Sequence, residues 1–167
     1  MKILGIDPGL ERIGFGVIQK EGSRLQAVHY GLIQTPRILL PERLHLIHSE
    51  IVKLVEDHRP DAVATERLLF TVNKTTAMDV AKALGVILLA CSEKGLPWAE
   101  YSPPEVKQCV VGNGAADKKQ VQFMVQKLLG LQTAPKPDDV ADALAIAITH
   151  AMRAPIAAMK AGVRTTL

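Results

Sequence analysis

The first 35 residues carry short apolar runs separated by turn signals, and after them the apolar residues recur three and four apart. Lys2 to Asp7 (KILGID) is an apolar run cut by Pro8-Gly9, and Gly14 to Gln19 is a second. Glu21-Gly22-Ser23 supplies a turn before a third run, Leu25 to Thr35. Runs of this length bounded by Gly, Pro and Ser predict strands, and connections this tight predict an antiparallel meander. From Pro41 the spacing changes: Leu44, Ile47, Ile51, Leu54 and Val55 predict an amphipathic helix that ends before Pro60. Ala62 to Leu68 is almost continuously apolar until Thr65-Glu66, the pattern of a strand covered on both faces of a parallel sheet. A helix over 73–94 stopped by Gly95, a strand over 98–101, helices over 104–111 and 117–129, and an Ala-rich helix over 137–152 complete the chain. The loop Gly112-Asn113-Gly114 separates the two shorter helices.

Right-handed crossovers place the later strands parallel to the first. The fold class is therefore α/β: a mixed five-stranded sheet, three antiparallel strands and then parallel ones, with helices on both faces. One domain accounts for residues 1–151, and 152–167 reads as a basic, flexible tail. No repeat of 20–50 residues and no low-complexity stretch interrupts it.

Composition narrows the function classes only slightly. A chain of 167 residues that is 48% apolar needs no disulfide or metal to fold. Its longest apolar run, residues 83–91, falls far short of the ~20 that a membrane helix needs. MKILGI meets Asp7 too early for a signal-peptide core, and two cysteines without metal spacing suit a reducing compartment. A cytoplasmic protein with no membrane partner is expected. The 20 basic and 17 acidic side chains are unevenly spread: residues 1–100 balance at 12 of each, and 101–167 hold eight basic and five acidic. That permits a nucleic-acid partner without establishing one.

Four acids stand where charge is costly. Asp7 ends the first strand, Glu66 lies toward the end of the fourth, and Asp139 and Asp142 open an otherwise apolar helix. No cation accompanies them at those points except Arg67, which strand alternation puts on the other side from Glu66. The three-residue spacing sets Asp139 and Asp142 on one helix face. If strands one and four are neighbours, Asp7 and Glu66 converge at their carboxyl ends, where such sheets bind ligands. Carboxylate oxygens without Cys or His suit Mg²⁺ or Mn²⁺, and four acids suffice for two such ions, the arrangement used in phosphodiester hydrolysis. Singly, each acid has a plain structural alternative as a turn residue or a helix-dipole partner.

These residues carry a resemblance. Ile-Leu-Gly-Ile-Asp-Pro-Gly (3–9), Thr-Glu-Arg (65–67), Val106-Lys107-Gln108, Val110-Val111-Gly112, the run 118–125, and Asp139-Val-Ala-Asp142-Ala-Leu-Ala-Ile-Ala-Ile-Thr-His150 occur in an order and spacing similar to the RuvC family of Holliday-junction resolvases, within the ribonuclease H-like superfamily. The resemblance spans residues 1 to about 151. It implies a homodimer, paired through the 73–94 helix, that nicks four-way junction DNA symmetrically in recombination and repair. It also implies two Mg²⁺ or Mn²⁺ ions per active site on Asp7, Glu66, Asp139 and Asp142, and a branch-migration motor as partner. Family members often carry a wedge aromatic three residues after the glutamate; here Leu69 stands there, with Phe70 next. Lys107 and Lys118 match the family's basic rim. Lys119 reads equally as a solvated helix face, and Asn73 and Lys74 as a phosphate-binding helix start or a simple cap. Asp138, beside Asp139, is a candidate for a water-mediated metal contact. Two alternatives stand beside the nuclease: a junction-binding module without cleavage, and a ribonuclease H-like nuclease acting on RNA. Actin-like ATPases share the opening strand but need two such lobes. His45 and His48 read as a solvent-facing pair, His150 as a cation at a helix C-terminus, and Cys91 and Cys109 as buried thiols.

Overall fold

The structure, a computed structural model, describes residues 1–68 and 74–154, with the side chains of 74–76 also outside that description. Strands β1 (Lys2–Asp7), β2 (Arg12–Glu21) and β3 (Arg24–Gln34) form the meander. α1 (Leu40–His58) leads to β4 (Ala62–Glu66), and α2 (Lys74–Glu93) leads to β5 (Trp98–Tyr101). Helices α3 (Pro103–Val111), α4 (Lys118–Leu128) and α5 (Asp138–Arg153) follow. The sheet order is β3-β2-β1-β4-β5, antiparallel across the first three strands and parallel from β1 to β4 to β5. The element boundaries fall within two residues of the expectation, and two of the shifts have a plain cause. β2 begins at Arg12 because the hairpin pairs Arg12 with Gln34. β4 stops at Glu66, where pairing with β5 ends at Tyr101.

Strand alternation decides what each face meets. Ile3, Ile18 and Ala64 join a core with α3, α4 and α5, while Leu4, Ile6, Val17 and Val63 join a second core with α1 and α2. Counting by twos, Ile3, Gly5 and Asp7 of β1 share the α5 face, as do Arg12, Gly14, Gly16 and Ile18 of β2 and Ala62, Ala64 and Glu66 of β4. Three of these positions are glycines because α5 lies directly on them. A Cβ on Gly5 would stand 2.2 Å from the Ala143 carbonyl oxygen, one on Gly14 1.9 Å from that of Asp139, and one on Gly16 2.6 Å from a Leu144 methyl. From Val140 to Ala151 every residue of α5 is buried except Asp142. A helix apolar on all sides belongs in the middle of a fold, and here the sheet covers one side and α3 and α4 the other.

The end of α5 corrects one expectation. His150 is 8% exposed, and burial holds its pKa below the ordinary value, so it is a neutral ring rather than a cation facing the helix dipole. Its Nδ1 lies 2.9 Å from the Tyr101 hydroxyl. α5 runs through Arg153, which donates to Glu105 at 2.8 Å and ties the helix to the start of α3. Residues 155–167 of the expected tail lie outside the described part. Cys91 is buried as expected, with its thiol pushed up to about 12, but Cys109 is only half-buried, its Sγ 3.7 Å from the Met152 sulfur. His45 is exposed, whereas His48 is within 2.9 Å of Glu93.

Candidate active site

Because β1 and β4 are parallel neighbours, Ile6 standing beside Thr65, the next residues Asp7 and Glu66 emerge side by side from the sheet's carboxyl edge. Both lie on the face that α5 covers. Asp142, the one interruption in the buried run of α5, meets them there. A cavity of about 290 Å³ is lined by these three acids, Pro103, Val106 and Lys107 of α3, Lys118 and Val121 of α4, and Ile146 of α5. Each helix presents residues three or four apart, the spacing that stacks side chains on one helix face. Lys118 is set at the mouth by a reciprocal cap: Asp117 Oδ1 accepts from the Gln120 backbone N–H at 2.9 Å, and Gln120 Oε1 accepts from that of Asp117 at 2.9 Å. Gly112, with φ of 82°, closes α3 in a left-handed conformation that favours glycine and turns the chain toward α4.

The cluster strains against its own charge. Burial first, then the neighbouring Glu66, Asp142 and Asp139, push the Asp7 carboxyl up to about 8. Burial also raises Glu66, with Asp142 adding to the shift, and burial raises Asp142 itself. Lys118 opposes the rise in all three, and Lys107 in Glu66 and Asp142. A buried carboxylate either takes a proton or gains a cation.

Asp139 is in the first turn of α5, but its Oδ2 accepts from Arg12 Nη2, and it does not line the cavity. The expectation that no cation but Arg67 accompanies the acids is thus corrected, and Arg67 itself donates to Glu100 at 3.0 Å. Asp138 turns the other way, taking Gln122 at 2.7 Å and Lys118 at 3.5 Å on α4. Lys119 is exposed on the outer face of α4. Leu69, Phe70 and Asn73 lie outside the described residues, and of Lys74 only its place at the start of α2 is described. Arg12, Gly14 and Gly16 belong to none of the motifs in the sequence, although Arg12 stands on the strand directly after the Asp7 turn. A larger cavity of about 470 Å³ lies on the opposite sheet face between β3 and α1. Its Glu50 and Asp57 are interleaved with Lys53 and with the rings of His29 and His58, so it does not gather three carboxylates as the cavity beneath α5 does.

Asp7, Glu66 and Asp142 offer only carboxylate oxygens, partly buried and repelling one another, which is the chemistry Mg²⁺ and Mn²⁺ bind. Among the described residues, no three His, Cys, Asp or Glu side chains are gathered closely enough to hold a metal as they stand. The residues fit such an ion in kind.

A family profile described as crossover junction endodeoxyribonuclease RuvC matches residues 3–150. The chain belongs to the RuvC family. It is 53% identical over 151 residues to the crossover junction endodeoxyribonuclease RuvC of Syntrophomonas wolfei, covering 90% of this chain and 88% of that one. With the Brevibacillus brevis RuvC it shares 52% over 165 residues, covering 98% and 99%. The Thermus thermophilus RuvC solved in complex with a Holliday junction substrate superposes with a TM-score of 0.85 at 38% identity, covering 92% and 95%. The RuvC family is one of divalent-metal-dependent nucleases, and the mixed five-stranded sheet is its ribonuclease H-like fold.

Proposed function

We propose that this chain is a crossover junction endodeoxyribonuclease: it cuts four-way junction DNA by hydrolysing one phosphodiester in each of two strands. The observation that carries this is a partly buried cluster of acids walled by two lysines, in a chain with 52% identity to curated RuvC proteins over nearly its whole length. Asp7, Glu66 and Asp142, joined by Asp139 from the rim, would hold two Mg²⁺ or Mn²⁺ ions. Bound there, the ions supply the Lewis acidity that activates water and steadies the leaving 3′-oxygen. The chain's own residues do the rest. Lys107 and Lys118 hold the scissile phosphate against the acids and meet the negative charge that develops on it. Pro103, Val106, Val121 and Ile146 wall the cavity with apolar surface and strengthen these electrostatic interactions by limiting water.

Two cuts require two sites, hence two copies. On α2, Ala83, Ile87, Ala90 and Cys91 are buried, while Met78 and Leu89 leave large apolar side chains 56% and 54% exposed. That second face supports a homodimer paired through α2. The wedge at the crossover falls to Leu69 and Phe70. The work of the enzyme in recombination and repair, a cytoplasmic setting and a branch-migration motor partner follow from the family reading. Among the described residues no helix is long and apolar enough to cross a membrane.

The test is substrate choice. A mobile four-way junction, a linear duplex of the same sequence and an RNA–DNA hybrid are each incubated with Mg²⁺ or Mn²⁺ and resolved on denaturing gels. Paired nicks on the junction alone are expected. Cutting of the hybrid alone would favour the RNA reading, and junction binding without any cutting would leave only a binding module.

The DNA surface extends along α4. Lys119, Phe123 and Lys127 are four apart, Phe123 is 54% exposed, and the Lys127 ammonium sits 5.3 Å from the Phe123 ring centroid. Neither lysine pairs with an acid among the described residues. Lys119→Ala and Lys127→Ala should each lower the slope of log affinity against log salt by about one, the contribution of one phosphate contact. Fluorescence anisotropy on a labelled junction between 50 and 200 mM salt, the range over which such contacts are read, measures it. The cutting rate of fully bound junction should stay unchanged.

A further inference from the structure

We infer that Arg12 is a positioning residue that holds Asp139 outside the cavity while no divalent cation is bound, and so sets how much cation the protein requires. The inference rests on reading Asp139 as a metal ligand. β2 alternation puts Arg12 on the same face as Gly14 and Gly16, aimed at the first turn of α5. There its Nη2 donates to Asp139 Oδ2. Asp7, Glu66 and Asp142 line the cavity, and the acid that carries the guanidinium does not.

The backbone of Asp139 has little freedom to change this. Its carbonyl is seated against Gly14, so close that a Cβ there would stand 1.9 Å away. What remains free is the side chain, whose carboxylate turns either outward to Arg12 or inward to join the other three acids. The Arg12 and Asp139 side chains are 47% and 29% exposed. Solvent screens a pair this open, so it biases the carboxylate without locking it. With a divalent cation held by Asp7, Glu66 and Asp142, the Asp139 carboxylate would gain more by turning inward than by keeping one screened guanidinium. Arg12 is then left at the edge of the cleft with its donors free, where a phosphate oxygen would satisfy them.

Calorimetric titration of Mn²⁺ into the metal-free protein, without DNA, tests this on wild type, Arg12→Gln, Arg12→Lys and Asp139→Asn. Removing the competing cation should tighten Mn²⁺ binding about threefold in Arg12→Gln, the scale of an exposed ion pair, and leave Arg12→Lys close to wild type. Asp139→Asn should bind at least several-fold more weakly. Damage to the local structure would weaken binding, so the direction of the change separates positioning from mere support. Unchanged or weaker Mn²⁺ binding by Arg12→Gln, alongside weakened binding by Asp139→Asn, overturns the inference alone. Wild-type binding by Asp139→Asn overturns the ligand reading of Asp139, and the inference with it.

Discussion

Asp7→Asn should lose about three orders of magnitude in junction cutting, still bind the junction, and melt at a higher temperature than wild type when metal is absent. The first effect follows if Asp7 is the metal ligand proposed above, since metal assistance of this kind contributes several kcal/mol to such a reaction. The second follows because the lysines proposed to meet DNA, Lys107, Lys118, Lys119 and Lys127, are left in place. The third comes from the electrostatics of the metal-free cleft. In the fold the Asp7 carboxyl titrates at about 8, against 3.8 for an unperturbed aspartate.

The sign follows from linkage. Between those values the folded protein keeps its proton and the unfolded chain releases it, so this group's contribution to stability is full at low pH and is lost as pH rises toward about 8. Asn carries no such charge. The melting advantage of the variant should therefore grow with pH, reaching on the order of 2 kcal/mol, about 5 °C for a chain of this size, at mildly alkaline pH. Mg²⁺ or Mn²⁺ should reverse the order by stabilising wild type more than the variant. Thermal melts across pH with and without Mn²⁺ measure this, and single-turnover cutting measures the rate. Wild-type cutting by Asp7→Asn would sink the assignment of the cluster as the catalytic centre.

Gly14→Ala should be nearly as damaging, although it touches no ionisable group. Gly14 is the β2 partner of Asp7 across the hairpin, and its missing side chain is where the first turn of α5 sits. An added methyl would stand 1.9 Å from a carbonyl oxygen and 2.3 Å from the carbonyl carbon of Asp139, both backbone atoms that no rotamer change can move aside. The end of α5 must lift from the sheet, carrying Asp139 and Asp142 away from Asp7. Overpacking of this kind costs roughly 2–4 kcal/mol, and a displacement of about 1 Å in a catalytic group lowers the rate about a hundredfold. Calorimetric unfolding and single-turnover cutting well below the variant's melting temperature read the two losses separately. A variant with wild-type melting and wild-type cutting would mean that α5 is not seated on β2 at Gly14.

Much of this architecture is legible along the chain. The short apolar runs and the Glu21-Gly22-Ser23 turn prescribe the meander, and the apolar sweep from Ala62 up to Thr65-Glu66 marks a strand covered on both faces. Asp139 and Asp142 stand out because they share one face of a helix that is otherwise apolar, although either alone reads equally as a partner of the helix dipole. Other features are silent in one dimension. Gly5, Gly14 and Gly16 read as weak strand residues until a helix is laid over them, since the atoms that forbid a side chain come from residues more than 120 positions away. His150 looks like a helix-end cation and is a buried neutral ring, because the strand ending at Tyr101 covers it.

Hydrophobic periodicity and turn chemistry are local properties of the chain, so the order of the elements, the mixed sheet and the four acids can all be read along it. What those acids do to one another depends on where folding brings them. Strand parity puts Asp7 and Glu66 on the face that α5 covers, the glycine track lets α5 come close, and Asp142 completes the cavity. Asp139 has the same chemistry and nearly the same place in the chain, yet stands aside with Arg12. Charge interactions depend on distance and burial in space, and neither is written along the sequence.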